Sequence, residues 1–285
     1  MLSYKALQFN AESVERYAAL FEQCFPGARH LTTSYLKWLY VENPVGRAVG
    51  MDAFSGDLLA AHYACIPTKV SLDGTSVNAL LSLNTATHPD FRGQGLFTKL
   101  AALTFDAAAG AGFSAVYGVA NANSTPGFTR KLGFQLVRKL DARIGFGRQL
   151  SIDWAAALRV AQFRREWDPL LLAWRTRSPY NPVTTRTRAD GVTELYAQTD
   201  KRLICSWGEV FASTSVHQKS HVPGSIHPRL FLGIVPPNAM RKNVSFSIPD
   251  RFRPSPLNFI FKPLGSEVLI DQNRVIFSFI DFDAY

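Results

Sequence analysis

The sequence contains no apolar run long enough to cross a lipid bilayer. Of its 285 residues 47% are hydrophobic, but no uninterrupted apolar stretch approaches the ~18 residues that a spanning helix needs. The N-terminus also lacks a basic region followed by an apolar stretch, which would mark a secretory signal. These absences favour a cytoplasmic protein without a membrane span. The length is sufficient for two small domains.

Cysteine is scarce, and histidine forms no recognisable metal-binding pattern. The three cysteines are Cys24, Cys65 and Cys205, which lie far apart with no C-x-x-C pair. This spacing argues against a disulfide framework or a zinc knuckle and favours small buried hydrophobic residues. His217, His221 and His227 fall in a Ser/Pro/Gly-rich segment, and their spacing fits no standard ligand set. We therefore expect no metal.

Acidic residues are few relative to basic ones. The chain has 31 Lys and Arg against 22 Asp and Glu, which gives a net charge of +9 and a pI of about 9.6. Excess positive charge favours anionic partners. The basic residues are scattered, with no long basic helix and no alternation of basic and aromatic residues, so nucleic acid is disfavoured. A small molecule with several phosphates would account for the charge.

The first half of the chain alternates helical and strand patterns. Apolar spacing predicts helices over 11–24, 33–41 and 95–110 and a short helix near 125–131. Strand-like segments occupy 48–54, 58–65, 66–72, 77–87, 113–119 and 134–144. The order indicates an α+β domain over residues 1–148, with a mixed central sheet flanked by helices.

The second half, 149–285, is richer in short strands. It begins with one long predicted helix over 151–175, for which Asp168-Pro169 is a candidate break. Short strands follow, one of them predicted over 267–271. The segment YLKWLYVENPVG at 35–46 is similar to LLAWRTRSPYNPV at 171–183. We therefore predict a smaller second domain, which either binds substrate or is a degenerate repeat of the first, with chance similarity as the alternative.

One segment carries the strongest chemical signal. Strand 79–87 is followed by HPDFRGQGLFTKL, which places Gly93 and Gly95 between a strand and a helix. The N-terminus of a helix exposes unpaired backbone N–H groups, which together with the helix dipole attract anions. Glycine allows a phosphate to approach the backbone closely, and Arg92 adds a cation. The alternative is an ordinary glycine-rich turn.

The surrounding residues decide between these interpretations. Pro89, Arg92 and Gly95 match a motif of the GNAT superfamily of acetyl-CoA-dependent N-acyltransferases, and the chain departs from it at Phe97, where the family has a small residue. Asn121 to Ser124 and the run FTRKLGF (Phe128 to Phe134) match the segments that the family shows downstream. The chain resembles this superfamily over about residues 1–145.

The resemblance implies where acetyl-CoA binds. The backbone of Thr85, Ala86 and Thr87 is expected to pair with the pantetheine amides like an added strand. Asn123 and Phe128 are expected to flank the thiol end of the cofactor. Arg92 supplies a cation beside the pyrophosphate. The residues whose N–H groups are expected to hold the pyrophosphate are Gly93, Gln94, Gly95, Leu96, Phe97 and Thr98.

The catalytic groups usual in the family are missing. No Asp or Glu occurs in 74–89 or 107–140, and Thr129 stands where many relatives carry an acidic tyrosine. The polar candidates on the predicted core strands are His62, Ser82 and Asn84. His62 suits a general base at neutral pH, with a buried structural histidine as the more common alternative. Other candidate bases are, in the second half, Glu194, Asp281, Asp283 and the terminal carboxylate of Tyr285.

The sequence therefore predicts an N-acetyltransferase that transfers acetyl from acetyl-CoA to a primary amine by direct attack in a ternary complex. The turn around Asn123 and the C-terminal segment resemble the GNAT members of bacterial surface-polysaccharide synthesis. That resemblance implies a nucleotide-linked amino sugar as acceptor. The alternatives are a peptide, an antibiotic or another small amine, or a non-catalytic acetyl-CoA-binding protein.

Overall fold

A computed structural model of the chain describes residues 1–146, 151–201, 203–211, 227–240, 245–253 and 255–282. The helices are α1 (Ala11–Cys24), α2 (Thr33–Tyr40), α3 (Leu96–Gly110), α4 (Trp154–Val160) and α5 (Pro169–Thr176). The strands are β1 (Leu2–Ala6), β2 (Val49–Ser55), β3 (Leu58–Leu72), β4 (Thr75–Thr87), β5 (Ala115–Ala120), β6 (Gln135–Lys139), β7 (Asp141–Phe146), β8 (Phe163–Arg165), β9 (Thr184–Thr187), β10 (Val192–Gln198), β11 (Cys205–Phe211), β12 (Pro228–Ile234), β13 (Ser245–Ser247), β14 (Asn258–Pro263) and β15 (Val275–Ser278).

The helices of the first half begin and end where the sequence predicts. The side chain of Asn10 accepts a hydrogen bond from Ser13 N at 2.8 Å and so caps α1. Apolar residues spaced three or four apart, such as Val14, Tyr17 and Phe21, are buried on one face of this helix. Helix α1 packs with α2 on one face of the sheet and α3 covers the other face. The predicted α+β fold is confirmed.

The predicted long helix over 151–175 is wrong. Asp153 and Asp168 each cap a separate short helix, through hydrogen bonds from Ala156 N at 3.0 Å and Leu171 N at 2.8 Å. Between the two helices lies β8, which pairs with β3 and β15. Pairing within the sheet therefore outweighs the local helical pattern. The predicted strand over 267–271 is also absent, and Ile270 is held by both amide atoms of the Gln135 side chain.

The two halves exchange strands. Strand β14, from the second half, lies between β5 and β6 of the first, and both pairings are antiparallel. Strand β7, from the end of the first half, lies between β12 and β13 of the second. In each half, two neighbouring strands are parallel, β4 with β5 and β11 with β12. The predicted division at residue 148 stays a prediction, and these exchanged strands cross it.

The internal sequence similarity has a structural counterpart. The Trp38 ring on α2 stacks on the Trp174 ring on α5, with centroids 4.8 Å apart and planes inclined by 20°. Each indole N–H donates to the backbone carbonyl of the other tryptophan at 3.2 Å. Asn43 donates to Pro67 O on β3, and Asn181 donates to Gln198 O on β10, both at 2.9 Å. In each case the acceptor lies on the second strand after the asparagine. This pseudo-twofold arrangement supports a duplicated half.

No helix within the described ranges is long and apolar enough to cross a membrane.

Candidate active site

A cleft opens where the parallel strands β4 and β5 diverge. Their pairing runs from Ala79 opposite Ala115 to Ser82 opposite Gly118 and stops there. Just beyond, β4 bulges at Asn84, which is skipped in the register with β3 and has a left-handed φ of 44°. The cleft has a volume of about 520 Å³. Its described lining consists of Phe25, Ser82, Leu83, Asn84, Thr85, Phe97, Gly118, Val119, Asn121, Asn123, Ser124, Gly127, Phe128 and Ile260.

One edge of β4 is open along this cleft. Thr85, Ala86 and Thr87 pair with Tyr63, His62 and Ala61 of β3 on one side. On the other side, among the described residues, β5 pairs with β4 only as far as Ser82, and the Cys24 thiol donates to Thr87 O at 3.3 Å. The remaining backbone groups on this edge are placed to receive an extended, amide-bearing ligand as an added strand.

The N-terminus of α3 adjoins the same cleft. Gly93 and Gly95 have left-handed φ values of 78° and 74°, and no described side chain caps the helix at Gly95. Among the described residues, a Cβ at Gly93 would meet no atom within 4 Å, and one at Gly95 would meet only Thr98 Oγ1 at 3.8 Å. Packing within the chain therefore does not require glycine here. The backbone conformation does, and it leaves room for a phosphate against the N–H groups of residues 96–98.

The neighbouring side chains of this loop have distinct surroundings. Arg92 is exposed and lies near the Cys24 thiol, whose pKa is raised by burial and lowered in part by Arg92. Gln94 is exposed, whereas the side chain of Leu96 is buried, so only its backbone can face a ligand. Thr98 Oγ1 donates to Gly95 O at 2.8 Å. The loop thus offers backbone donors and one guanidinium.

Phe97, which departs from the family pattern, fills space at the wall of the cleft. Its ring meets that of Phe128 edge-on at 5.1 Å. A Cβ at Gly127 would lie 2.8 Å from Phe97 Cε1, so glycine at 127 makes room for the larger side chain. Asn123 follows a turn that Asn121 Oδ1 holds through the N–H groups of residues 123 and 124, both at 3.0 Å. The structure thus brings Phe97, Asn123 and Phe128 to one cleft.

His62 is fully buried and does not line the cleft. Its Nδ1 lies 2.7 Å from Asp52 Oδ1 and its Nε2 3.0 Å from the Tyr40 hydroxyl. Asn84 Nδ2 donates to the same hydroxyl at 3.2 Å. A hydrogen-bonded chain therefore leads from buried Asp52 through His62 and Tyr40 to Asn84, which does line the cleft.

The direction of these hydrogen bonds follows from the donors available. Tyr17 donates to Asp52 Oδ2 at 2.8 Å, and burial together with the Asp52 charge raises the pKa of Tyr17, which keeps its proton. With Asp52 ionised, His62 Nδ1–H donates to it and Nε2 accepts from Tyr40. The Tyr40 oxygen then accepts from Asn84. Any proton that His62 takes from the cleft would have to pass through Tyr40.

Sequence reasoning missed Asp52 and Tyr40. A signal for Asp52 was present, since it is the one charged residue in the apolar strand VGMDAFS. The turn pairs Ser55 with Leu58, and a bulge at Ala60 then shifts the register by one residue, which places Asp52 directly opposite His62. Tyr40 lies on α2, and no local pattern indicates that it reaches His62.

The second half supplies no described carboxylate to the cleft. Glu194 pairs with the Arg186 guanidinium at 2.6 Å and accepts from the Tyr196 hydroxyl. Asp281 is buried, accepts from Trp167 Nε1 at 2.8 Å, and has its pKa raised to about 6 by burial. Asp283 and Tyr285 lie outside the described residues, as do His217 and His221. Among the residues that are described, no three metal-binding side chains form a cluster.

Comparisons with known proteins agree with this geometry. Residues 5–137 match the family model described as acetyltransferase (GNAT) domain. No curated protein matches the sequence. Residues 5–137 are therefore similar to the GNAT acetyltransferase domain, and a strand-rich second half follows them.

Solved structures share the fold at low sequence identity. A GCN5-related N-acetyltransferase from Anabaena variabilis is 11% identical, with a TM-score of 0.57 over 92% of this chain and 73% of that one. One from Kribbella flavida is 12% identical, with a TM-score of 0.58 over 92% and 71%. Eis1 from Mycobacterium abscessus is 15% identical, with a TM-score of 0.51 over 74% and 59%. The similarity extends beyond the matched domain into the second half.

Proposed function

We propose that the protein is an N-acetyltransferase that transfers acetyl from acetyl-CoA to a primary amine. The observation that carries this proposal is the opening between β4 and β5 beside the uncapped N-terminus of α3, within a matched GNAT domain. The opening suits an extended amide-bearing arm, and the helix N-terminus suits a pyrophosphate. The sequence prediction of a cytoplasmic location stays a prediction.

The predicted binding residues fit acetyl-CoA by their chemistry. The N–H groups of residues 93–98 would hold the pyrophosphate, with Arg92 as an added cation. The open edge of Thr85–Thr87 would pair with the pantetheine amides. Asn123 and Phe128 line the same cleft and would flank its thiol end. Bound in this way, acetyl-CoA supplies an activated acyl group as a thioester.

The residues around Asn84 would act on the incoming amine. During transfer the amine nitrogen forms a bond to the acyl carbon, the carbon–sulfur bond breaks, and the amine loses a proton while the thiolate gains one. The Asn84 amide is held by Tyr40 through its nitrogen, which leaves its carbonyl oxygen as an acceptor for an amine N–H. His62 stays the predicted base, acting through Tyr40. Holding both substrates side by side supplies much of the rate.

The proposal extends to the class of amine that accepts the acetyl group. The sequence predicts a nucleotide-linked amino sugar, and the net charge of +9 is compatible with such a polyanion. A peptide, an antibiotic or another small amine is the alternative acceptor class. A non-catalytic acetyl-CoA-binding protein is the alternative function, because the usual acid and base of the family are missing.

A thiol-release assay on the full-length protein tests the proposal. We expect acetyl-CoA to release free thiol only when a suitable amine is present, and the panel should include free amino sugars, nucleotide-linked amino sugars and simple alkylamines. Mass spectrometry of the product should show one added acetyl group. Tight binding of acetyl-CoA without transfer to any amine of the panel would instead favour the non-catalytic alternative.

A further inference from the structure

A second large cavity lies between the two halves. Its volume is about 610 Å³, which is within the range of small-molecule sites. Strands β5, β7 and β12 contribute to it, together with residues that follow β10, residues that precede β14, Leu140 between β6 and β7, and Phe282. Its described lining is mainly aliphatic, and the residues that matter here are Val119, Leu140, Leu230, Leu232, Leu257 and Phe282.

This apolar cavity meets the acetyl-CoA cleft at Val119, which lines both. Val119, Leu232 and Leu257 pack against the core beneath α1 and α2. Phe97 and Phe128, at the cofactor cleft, belong to the core beneath α3. Leu83 and Val119 line the cofactor cleft and also pack against the core beneath α1 and α2, so the apolar cavity joins the cleft on that face of the sheet, opposite to Phe97 and Phe128.

The opening at that junction is kept clear by a glycine. Gly118 precedes Val119 on β5 and lines the cofactor cleft. A Cβ at Gly118 would lie 3.1 Å from Ser82 O, across the last paired residues of β4 and β5. Two ligands entering from opposite faces would thus meet at the bulge around Asn84.

The charges of the apolar cavity are few. Arg253, one of its two described cations, is already engaged by the backbone carbonyls of Ile248 and Leu140, at 2.7 to 3.1 Å. Lys201 is exposed at the rim, next to the acidic Asp200. A nucleotide diphosphate would need more positive charge than this described lining offers.

We propose that this cavity binds the body of the acceptor, and that the acceptor is a primary amine carried on an alkyl or aryl body. The inference rests on the proposed function and selects, within it, the small-amine class over the nucleotide-linked sugar. The apolar body lies against the leucines between the halves. Its amine reaches past Val119 to the Asn84 bulge.

A series of amines of increasing length tests this inference on the full-length protein. The probes are n-butylamine, n-hexylamine and n-octylamine, with glucosamine and its nucleoside-diphosphate-linked form as polar comparisons. Each added methylene should raise kcat/KM about three- to fourfold as long as it is buried. The same kcat/KM for all three alkylamines, or transfer to the sugars alone, would overturn the inference.

Two variants test whether the dependence of kcat/KM on amine length arises in this cavity. Leu232→Asp places a carboxylate in the cavity and should abolish the gain from butylamine to octylamine while leaving acetyl-CoA affinity intact. Leu136→Asp is the matched control, because Leu136 is half-exposed on β6 and outside the cavity. If Leu232→Asp does not fold, Val119→Phe narrows the junction instead. It should then impair octylamine more than butylamine, and equal impairment would overturn the inference.

Calorimetry separates this inference from the proposed function. Octylamine is titrated into the protein saturated with coenzyme A, without any transfer. Binding that Leu232→Asp removes would support the cavity even if no amine is acetylated, in which case only the proposed function fails. Acetyl transfer to polar amines without octylamine binding would instead overturn the cavity inference and leave the function standing.

Discussion

Replacing Asp52 by asparagine tests the chain of hydrogen bonds that leads to Asn84. The Asp52 side chain is 2% exposed and accepts from His62 Nδ1 at 2.7 Å and from the Tyr17 hydroxyl at 2.8 Å. Asparagine keeps the shape but presents one donor where the carboxylate presented an acceptor. The Tyr17 hydroxyl has a second acceptor in Gln8 O at 3.0 Å, so His62 is the partner more affected.

The Asp52→Asn substitution would affect Asn84 in the cleft by changing the tautomer of His62. With an amide N–H facing Nδ1, His62 would carry its proton on Nε2 and donate to Tyr40. The Tyr40 oxygen would then receive two donors, Nε2–H and Asn84 Nδ2, and the Tyr40 hydroxyl could no longer donate to His62. A hydrogen bond to a charged group contributes about 1.5–3 kcal/mol. We therefore expect a stability loss of about 2 kcal/mol and a fall in kcat of roughly 10- to 100-fold.

Separate readouts distinguish this effect from general damage. Acetyl-CoA affinity, measured by calorimetry, should change less than about threefold, because the Asp52 carboxylate faces His62 and Tyr17 and does not line the described cleft. Asp57→Asn is the control, since Asp57 is exposed in the turn between β2 and β3, and it should behave as wild type. A folded Asp52→Asn protein with normal kcat would refute the reasoning, and His62 would then be a purely structural histidine.

Three further predictions concern catalysis, stability and pH. His62→Asn should lower turnover about 100-fold with cofactor affinity unchanged. Thr129→Ala should lower turnover little, because a threonine hydroxyl is a far weaker acid than a phenol. Thiol-release kinetics check both. Phe259→Ala on β14 should cost about 3–5 kcal/mol in urea unfolding, because this fully buried ring lies 4.7 Å from Phe277 and 5.0 Å from Phe163. Phe246→Ala is the control, because Phe246 is exposed. Two separate unfolding transitions would contradict a core that the two halves share. Burial raises the pKa of Glu209 to about 7, so the folded state binds this proton more tightly than the unfolded state. Stability should fall by up to about 3 kcal/mol as the pH rises from about 4.5 through 7, and Glu209→Gln should flatten that slope in urea titrations.

Local sequence patterns predicted the elements that depend on local spacing. Helices α1 and α3 follow from their apolar periodicity, and the left-handed loop that precedes α3 follows from Gly93 and Gly95. The bounds of α3 agree to within one residue with the prediction. In these segments the helical propensity and the tertiary packing favour the same conformation.

Long-range pairing accounts for most of what the sequence did not predict. Strand β14 inserts beside β5, more than a hundred residues earlier in the chain, and nothing in its composition indicates that partner. The segment Phe163–Arg165 has a helical surrounding but becomes a strand because β3 and β15 flank it. The pairing of Asp52 with His62 does not follow from hairpin register alone, which would place Asp52 opposite Ala61; a bulge at Ala60 shifts the register by one residue.

The central claim is that the N-terminus of α3 holds the pyrophosphate of acetyl-CoA, and Gly95→Asp tests it most directly. A carboxylate at this position would face the phosphates and repel them. Calorimetry should therefore show acetyl-CoA affinity falling at least tenfold, which corresponds to about 1.4 kcal/mol of binding free energy. Gly191→Asp is the control, because Gly191 also has a left-handed φ, of 80°, but lies in the turn between β9 and β10. It should bind as wild type does. A folded Gly95→Asp protein with unchanged affinity for acetyl-CoA would contradict the account.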